Sequence, residues 1–245
     1  MQDINPTFPP LLTSKPVRAP KRPFEIACRD ALQGKAEAGD VYWAKNNRVL
    51  DTAIVLEPEV PMAQALQMAY VVMVAFGDAF GAVAEAEVGL HYLWPDKFMV
   101  NRAEVGHLRI AAPNGTKAGE VPDWLIFNIT IEMQGEADVE PGLNPHKTTL
   151  FDEGCGEITS VGLMESFCRH FLTWVHNWEE EGFRPVHDNW IARAIGHEEI
   201  AEIKVNGETY TGKVMGVDEA SQLLITEDGK NVETLDLQHM IEWQG

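Results

Sequence analysis

Cys155-Gly156-Glu157-Ile158-Thr159-Ser160 sets a thiol a few residues ahead of hydroxyls that can cap a helix. A thiolate near the positive end of a helix dipole is held charged at lower pH and is a competent nucleophile. Trp94-Pro95-Asp96-Lys97 brings together an aromatic ring, a rigid turn, a carboxylate and an ammonium, and Lys45-Asn46-Asn47-Arg48 offers two cations beside two amides. Cations that converge bind carboxylates or phosphates, whereas Lys45, Arg48 and Lys97 taken singly are ordinary surface charges. The imidazoles make no metal set: His170 and His176 stand six apart, and a helix brings residues four apart onto one side. No metal is expected.

The chain that must position these groups has 245 residues, enough for one sizeable domain with a small appendage. Its 38 acidic and 19 basic residues give a formal charge of −19, a field that repels a phosphate backbone, so nucleic acid is not an expected partner. Lys15, Arg18, Lys21 and Arg22 form the one basic cluster, within a Pro-rich stretch that reads as a solvated arm. Three cysteines at scattered spacings, Cys28, Cys155 and Cys168, fit reduced thiols of a cytoplasmic protein better than a disulfide framework. The most apolar run, Ala69 to Val83, is interrupted by Asp78 and reads as a buried helix, and no membrane association is expected.

Prolines at 6, 9, 10, 16 and 20 predict little regular structure over residues 1–22, with folding beginning near Pro23. Strand-like runs at 40–44 and 52–56 flank the polar turn 45–48, and helical spacing runs from about 62 to 83. Residues 92–100, 105–111 and 124–133 read as three further strands, and 134–154 as a long loop. Ser160 is the expected cap of a helix whose apolar stripe ends at Gly182. From about 198 the pattern turns all-β, with hairpin signals at Asn206-Gly207 and Asp228-Gly229.

This order of elements resembles the biotin/lipoate protein ligase family. Ala38-Gly39-Asp40-Val41-Tyr42-Trp43-Ala44 is similar to that family's strand entering its ligand loop, and Leu93-Trp94-Pro95-Asp96-Lys97 falls where a Lys-Trp-Pro-Asn-Asp motif belongs. Glu180-Glu181-Gly182-Phe183-Arg184-Pro185, leading to Trp190, resembles the end of the catalytic domain. The resemblance implies an α/β (α+β) fold, a mixed sheet with packed helices, followed by a small C-terminal SH3-like β-barrel. Three segments follow: a Pro-rich arm at 1–22, a ligase-like domain at 23–196 and the barrel at 197–245. It implies ATP and biotin or lipoate as ligands and a biotinyl or lipoyl carrier domain as partner. The cleft residues it implies are Trp43, Trp94, Pro95, Asp96, Lys97, Gly106 and Asn128, with Trp124 on a neighbouring strand.

The sequence departs from the family where charge matters most. Adenylating an acid brings a carboxylate to a triphosphate and needs cations and backbone donors. The Gly-Arg-rich loop that supplies them is missing between Ala44 and the next strand, and the family lysine three residues before Gly106 is Ala103. Leu93 replaces the lysine before Trp94. Cys155-Gly156-Glu157-Ile158-Thr159-Ser160 is similar to the Cys-Gly-x-x-Thr-Ser segment of the lipoyl and octanoyl transferases, which need no ATP. Their partner lysine is again Ala103, leaving His146 or His170 as substitute base. Three functions follow: a diverged member binding biotin, lipoate or a related small carboxylic acid; an acyltransferase acting through Cys155; or a noncatalytic protein that binds a carrier domain.

Overall fold

The computed structural model of the chain describes residues 5–85, 87–135 and 145–245. In order, its elements are β1 (Thr13–Val17), α1 (Pro23–Leu32), β2 (Asp40–Ala44), β3 (Val49–Leu56), α2 (Met62–Ala65), α3 (Gln67–Gly81), β4 (Leu90–Leu93), β5 (Lys97–Val100), β6 (Ala103–Pro113) and β7 (Leu125–Glu132). There follow α4 (Ser160–Glu181), α5 (Arg184–Ile191), β8 (Ala201–Val205), β9 (Glu208–Val217), β10 (Leu223–Thr226), β11 (Val232–Leu235) and β12 (Ile241–Gln244). The main sheet runs β1-β2-β3-β7-β6-β5-β4, and β12 joins it alongside β6. Among the described strands of this sheet, the β1–β2 and β6–β12 pairs are parallel and the others antiparallel.

Side chains alternate across this sheet and divide it into two unlike faces. Leu50 and Ile54 of β3 and Phe127, Ile129 and Ile131 of β7 point toward α3 and α4. Ala53, Val55 and Ile126 point the other way, onto Phe24, Ala27 and Cys28 of α1. Every residue of α3 from Gln67 to Gly77 is buried, which accounts for its weak amphipathic signal. The stretch Met62–Gly81 is long and apolar enough to cross a membrane, and here 83% of its most apolar window is enclosed by protein.

Several expectations are corrected. The Pro-rich segment contains β1, because an edge strand has one side without a ladder partner and so accommodates Pro16. Trp43 Nε1 donates to Ser14 Oγ at 2.9 Å and Lys15 pairs with Asp40, fastening β1 to β2. The expected strand 92–100 is two strands folded back at Trp94-Pro95-Asp96, in register Tyr92 with Phe98. Thr159, not Ser160, caps α4 by accepting from Gly162 N, while Ser160 Oγ donates to Asn46 O and ties the helix start to the β2–β3 connection. Gly182, at φ 78°, ends that helix as expected. The helix α5 was not legible in the sequence. Of the loop expected at 134–154, residues 136–144 lie outside the described residues; its return brings Thr148 N and Glu104 N into backbone bonds with Glu104 O and His146 O.

The C-terminal strands form a four-stranded antiparallel sheet in the order β11-β10-β9-β8. Asn206 and Gly207 both take positive φ, 50° and 81°, the geometry of the tight β8–β9 hairpin. This sheet is bonded to the helices: Tyr70 Oη donates to Ser221 O at 3.0 Å, Gln67 Nε2 to Glu219 O at 2.7 Å, and Ser221 Oγ to Ala63 O at 2.9 Å. Its last strand, β12, crosses over to the main sheet, so the segment from 198 onward serves two sheets.

Tyr70 Oη also accepts from Trp94 Nε1 at 3.0 Å, making one buried chain of bonds through three parts of the fold. Tyr70→Phe strands a donor and an acceptor at once, and each unpaired buried group costs about 1–3 kcal/mol. The variant is expected to lose roughly 2–4 kcal/mol in urea titration with an unchanged m-value.

Candidate functional site

The two tryptophans expected in the cleft are core residues. Trp43 and Trp94 are 2% and 1% exposed and belong to the cluster on the α3 side of the sheet. With Pro95 also buried, no edge of either ring is free to meet a ligand. Trp124 is buried too, on the α1 side. The physical reason is the strand period: Trp43 shares a face with Val41, Leu50 and Ile54, all under the helices.

Polar groups gather on the opposite face. Register places Lys97 beside His107, His107 beside Thr130, Arg109 beside Asn128, and Thr130 beside Asp51. Lys97 and Asn128, both expected in the site, lie here, whereas Asp51, Glu104, His107, Arg109 and Thr130 were not singled out as site residues. The alternation of polar with apolar residues along 125–132 and 107–112 carried that signal. Gly106 serves packing: a Cβ there would lie 2.2 Å from Thr130 O, so only glycine lets β6 and β7 approach this closely.

This face is already internally bonded. Asn128 Nδ2 donates to Asp51 Oδ1 at 2.8 Å and to Thr52 O at 2.9 Å, and Asn128 Oδ1 accepts from Thr130 Oγ1 at 3.3 Å. Lys97 Nζ donates to Glu104 Oε2 at 2.5 Å. Arg109 is held by Glu242 of β12 and Glu25 of α1, with its guanidinium carbon 3.8 Å from the centre of the Phe24 ring. Those carboxylates fix its charge against the cost of partial burial. Burial pushes Asp96 up from 3.8 to about 6, with Lys97 opposing the shift. His107 is lowered by burial and is neutral at pH 7.

Cys155 is not where nucleophilic chemistry requires it. The helix α4 starts five positions later, and among the described residues the buried thiol has only the carbonyl of Glu153, 4.0 Å away, as a hydrogen-bond partner. Burial pushes its pKa above the ordinary 9.0, and Glu85 and Glu153 push the same way. His170, one substitute base, turns its Nδ1 to Ser166 O at 2.8 Å within its own helix.

Residues 8–192 match the sequence model described as the Biotin/lipoate A/B protein ligase family. The chain belongs to this family. It is 21% identical over 203 residues to a biotin–[acetyl-CoA-carboxylase] ligase from Paracoccus denitrificans, covering 82% of each chain. A biotin protein ligase-like protein of unknown function from Silicibacter sp. TM1040 has the same fold at TM-score 0.85 and 34% identity, covering 97% of this chain and 99% of that one. The biotin protein ligase of Aquifex aeolicus, solved with biotin and ATP, shares the fold at TM-score 0.69 and 13% identity, over 90% and 94% of the two chains. The ligase fold is thus kept while, within this family member, the connection from β2 to β3 is the short Lys45–Arg48 turn and Ala103 opens β6.

Two measurements follow. A carboxyl whose pKa is raised on folding contributes stability that is complete below its ordinary pKa and is lost as pH rises through the folded value, here about 6. Asp96→Asn is therefore expected to be more stable than the parent by roughly 1–3 kcal/mol at pH 8, with the gap closing near pH 4. The thiols of Cys28 and Cys168 are pushed up to about 12 by burial, so both should resist iodoacetamide at pH 7.5 until denaturant is added. Cys155 should label only slowly, and faster as pH rises beyond 9.0.

Proposed function

We propose that this family member binds a small carboxylic acid, of the biotin, lipoate or octanoate kind, on the α1 side of its sheet and does not activate it with nucleotide. The observation that carries the reading is the state of the cations on that face. Lys97 is engaged by Glu104, and Arg109 by Glu25 and Glu242, so the two cations carried by β5 and β6 in this row are already paired with carboxylates. The short β2–β3 turn leaves no room for a phosphate-wrapping loop. An acid makes a smaller demand. The Lys97 side chain is 40% exposed, so one carboxylate can replace Glu104 as its partner with no net change in charge at the ammonium. Neutral His107 and Thr130 lie next along the same row and supply hydrogen-bonding groups without adding repulsion.

Within this reading residues 197–245 are the family's SH3-like barrel unit, and ATP has no role. Cys155, with its thiol pushed up, takes no part in acyl transfer.

Differential scanning fluorimetry with biotin, lipoate and octanoate, each with and without ATP and magnesium, tests the proposal together with ATP–pyrophosphate exchange. At least one acid should raise Tm, by an amount equivalent to about 2.7 kcal/mol at a hundred times Kd. ATP should add nothing, and Lys97→Met should abolish the shift. Pyrophosphate exchange matching that of a biotin protein ligase run in parallel would sink the reading, as would indifference to all three acids.

A further inference from the structure

A cavity lies away from that face, on the helix side of the sheet. It is a cleft of about 1330 Å³ running between the end of β3, the α4–α5 corner and the β9–β10 turn. Small-molecule pockets occupy roughly 300–1,000 Å³, so this space suits an extended segment better than a metabolite. Its floor is apolar, with Leu56, Val60, Met68, Val175, Trp178 and Phe183 among the lining residues.

The rim is mostly acidic. Glu57, Glu59, Glu179, Glu181, Asp218 and Glu219 come from three separate parts of the chain and line the same cleft. Among the described residues none of these carboxylates is in an ion pair, and the two basic groups of the lining, Arg184 and His187, both lie against Asp188. Asp218 is fixed by the backbone N–H groups of Ala220 and Gln222, so its charge points into a formed turn. Like charges brought together at an apolar trough repel one another and are relieved by a cationic occupant.

We propose that this cleft docks a basic, amphipathic polypeptide segment of a partner protein, whose aliphatic or aromatic anchors enter the trough while flanking lysines or arginines meet the rim. Charge complementarity selects this occupant. A nucleic acid or an acidic domain is repelled, and a second copy of a chain at −19 is disfavoured for the same reason. The site is independent of the acid-binding face and stands or falls separately.

Fluorescence anisotropy tests it, with a labelled amphipathic Lys/Leu peptide as probe, a Glu/Leu peptide of the same length, and a Lys/Ser peptide that keeps charge without anchors. Glu57→Gln, Glu59→Gln and Glu219→Gln combined remove three exposed rim charges. Glu202→Gln, Glu227→Gln and Glu233→Gln combined remove three exposed charges elsewhere, so the two variants have equal net charge. The Lys/Leu peptide should bind the parent at 150 mM salt, at least tenfold more weakly to the rim variant and within twofold of the parent to the control. The Lys/Ser and Glu/Leu peptides should bind at least tenfold more weakly than Lys/Leu. Equal weakening in both variants would show attraction to overall charge alone and overturn the proposal. So would equal binding of Lys/Leu and Lys/Ser, or sedimentation showing that the cleft is closed by self-association.

Discussion

Burial of α3 is the constraint on which the molecule depends. A helix apolar around its whole circumference cannot lie on a sheet with one side in water; it must be covered everywhere. The main sheet covers one side, α4 a second, and α5 with the C-terminal strands the remainder. The polar atoms inside this assembly are few and matched. Tyr70 links Trp94 to the Ser221 carbonyl, Gln67 links Trp178 to Glu219, and Asp78 receives both Trp174 Nε1 and Arg193. Trp190 Nε1 is the exception among the described side chains, enclosed beside Tyr70 and Tyr92 without a partner. Because the helix cover extends through α5 and the β9–β10 turn, the small C-terminal sheet is part of the core and not an ornament on it.

That arrangement leaves the other face of the sheet free to diverge. Cations placed there must be supported by the chain itself or by a ligand. In this protein support comes from carboxylates on three other elements: Glu104 on β6, Glu25 on α1 and Glu242 on β12. A fold can therefore keep its core, its topology and its Trp-Pro turn while the charges on the other face take different partners. The likeness to solved biotin protein ligases measures the first of these and not the second.

The sequence made the core and the order of elements legible because both follow from local rules. Strand alternation, the long apolar run, Gly182 as a helix stop and Asn206-Gly207 as a hairpin all appear where expected. The misses were nonlocal. Nothing near Pro16 says that β2 will offer it an edge, and Arg184–Ile191 is too short for its period to register beside α4. Thr159 and Ser160 are equivalent as caps until Asn46 O, 114 residues away, claims the serine. At the site, motif matching drew attention to Trp43 and Trp94 because tryptophans are conspicuous. Counting which residues share a parity along each strand places Trp43 under the helices and groups the expected Lys97 and Asn128 with His107 and Thr130 on the other face.

The same parity argument bears on how charge is distributed. The chain carries twice as many acids as bases, and the acids are not evenly spread. On the α1 side Glu25, Glu104 and Glu242 each answer a cation, and the Arg109 pairs hold helix, sheet and C-terminal strand together. At the cleft by Trp178 none of the rim carboxylates is in an ion pair among the described residues, and the only partners given for Asp218 are backbone N–H groups of its own turn. Uncompensated like charges beside a core raise the free energy of the folded state, and dispersing them over the remaining surface would relieve the repulsion. Their convergence on one apolar trough is therefore unfavourable for folding on its own terms, and a cationic partner seated there converts that repulsion into binding free energy.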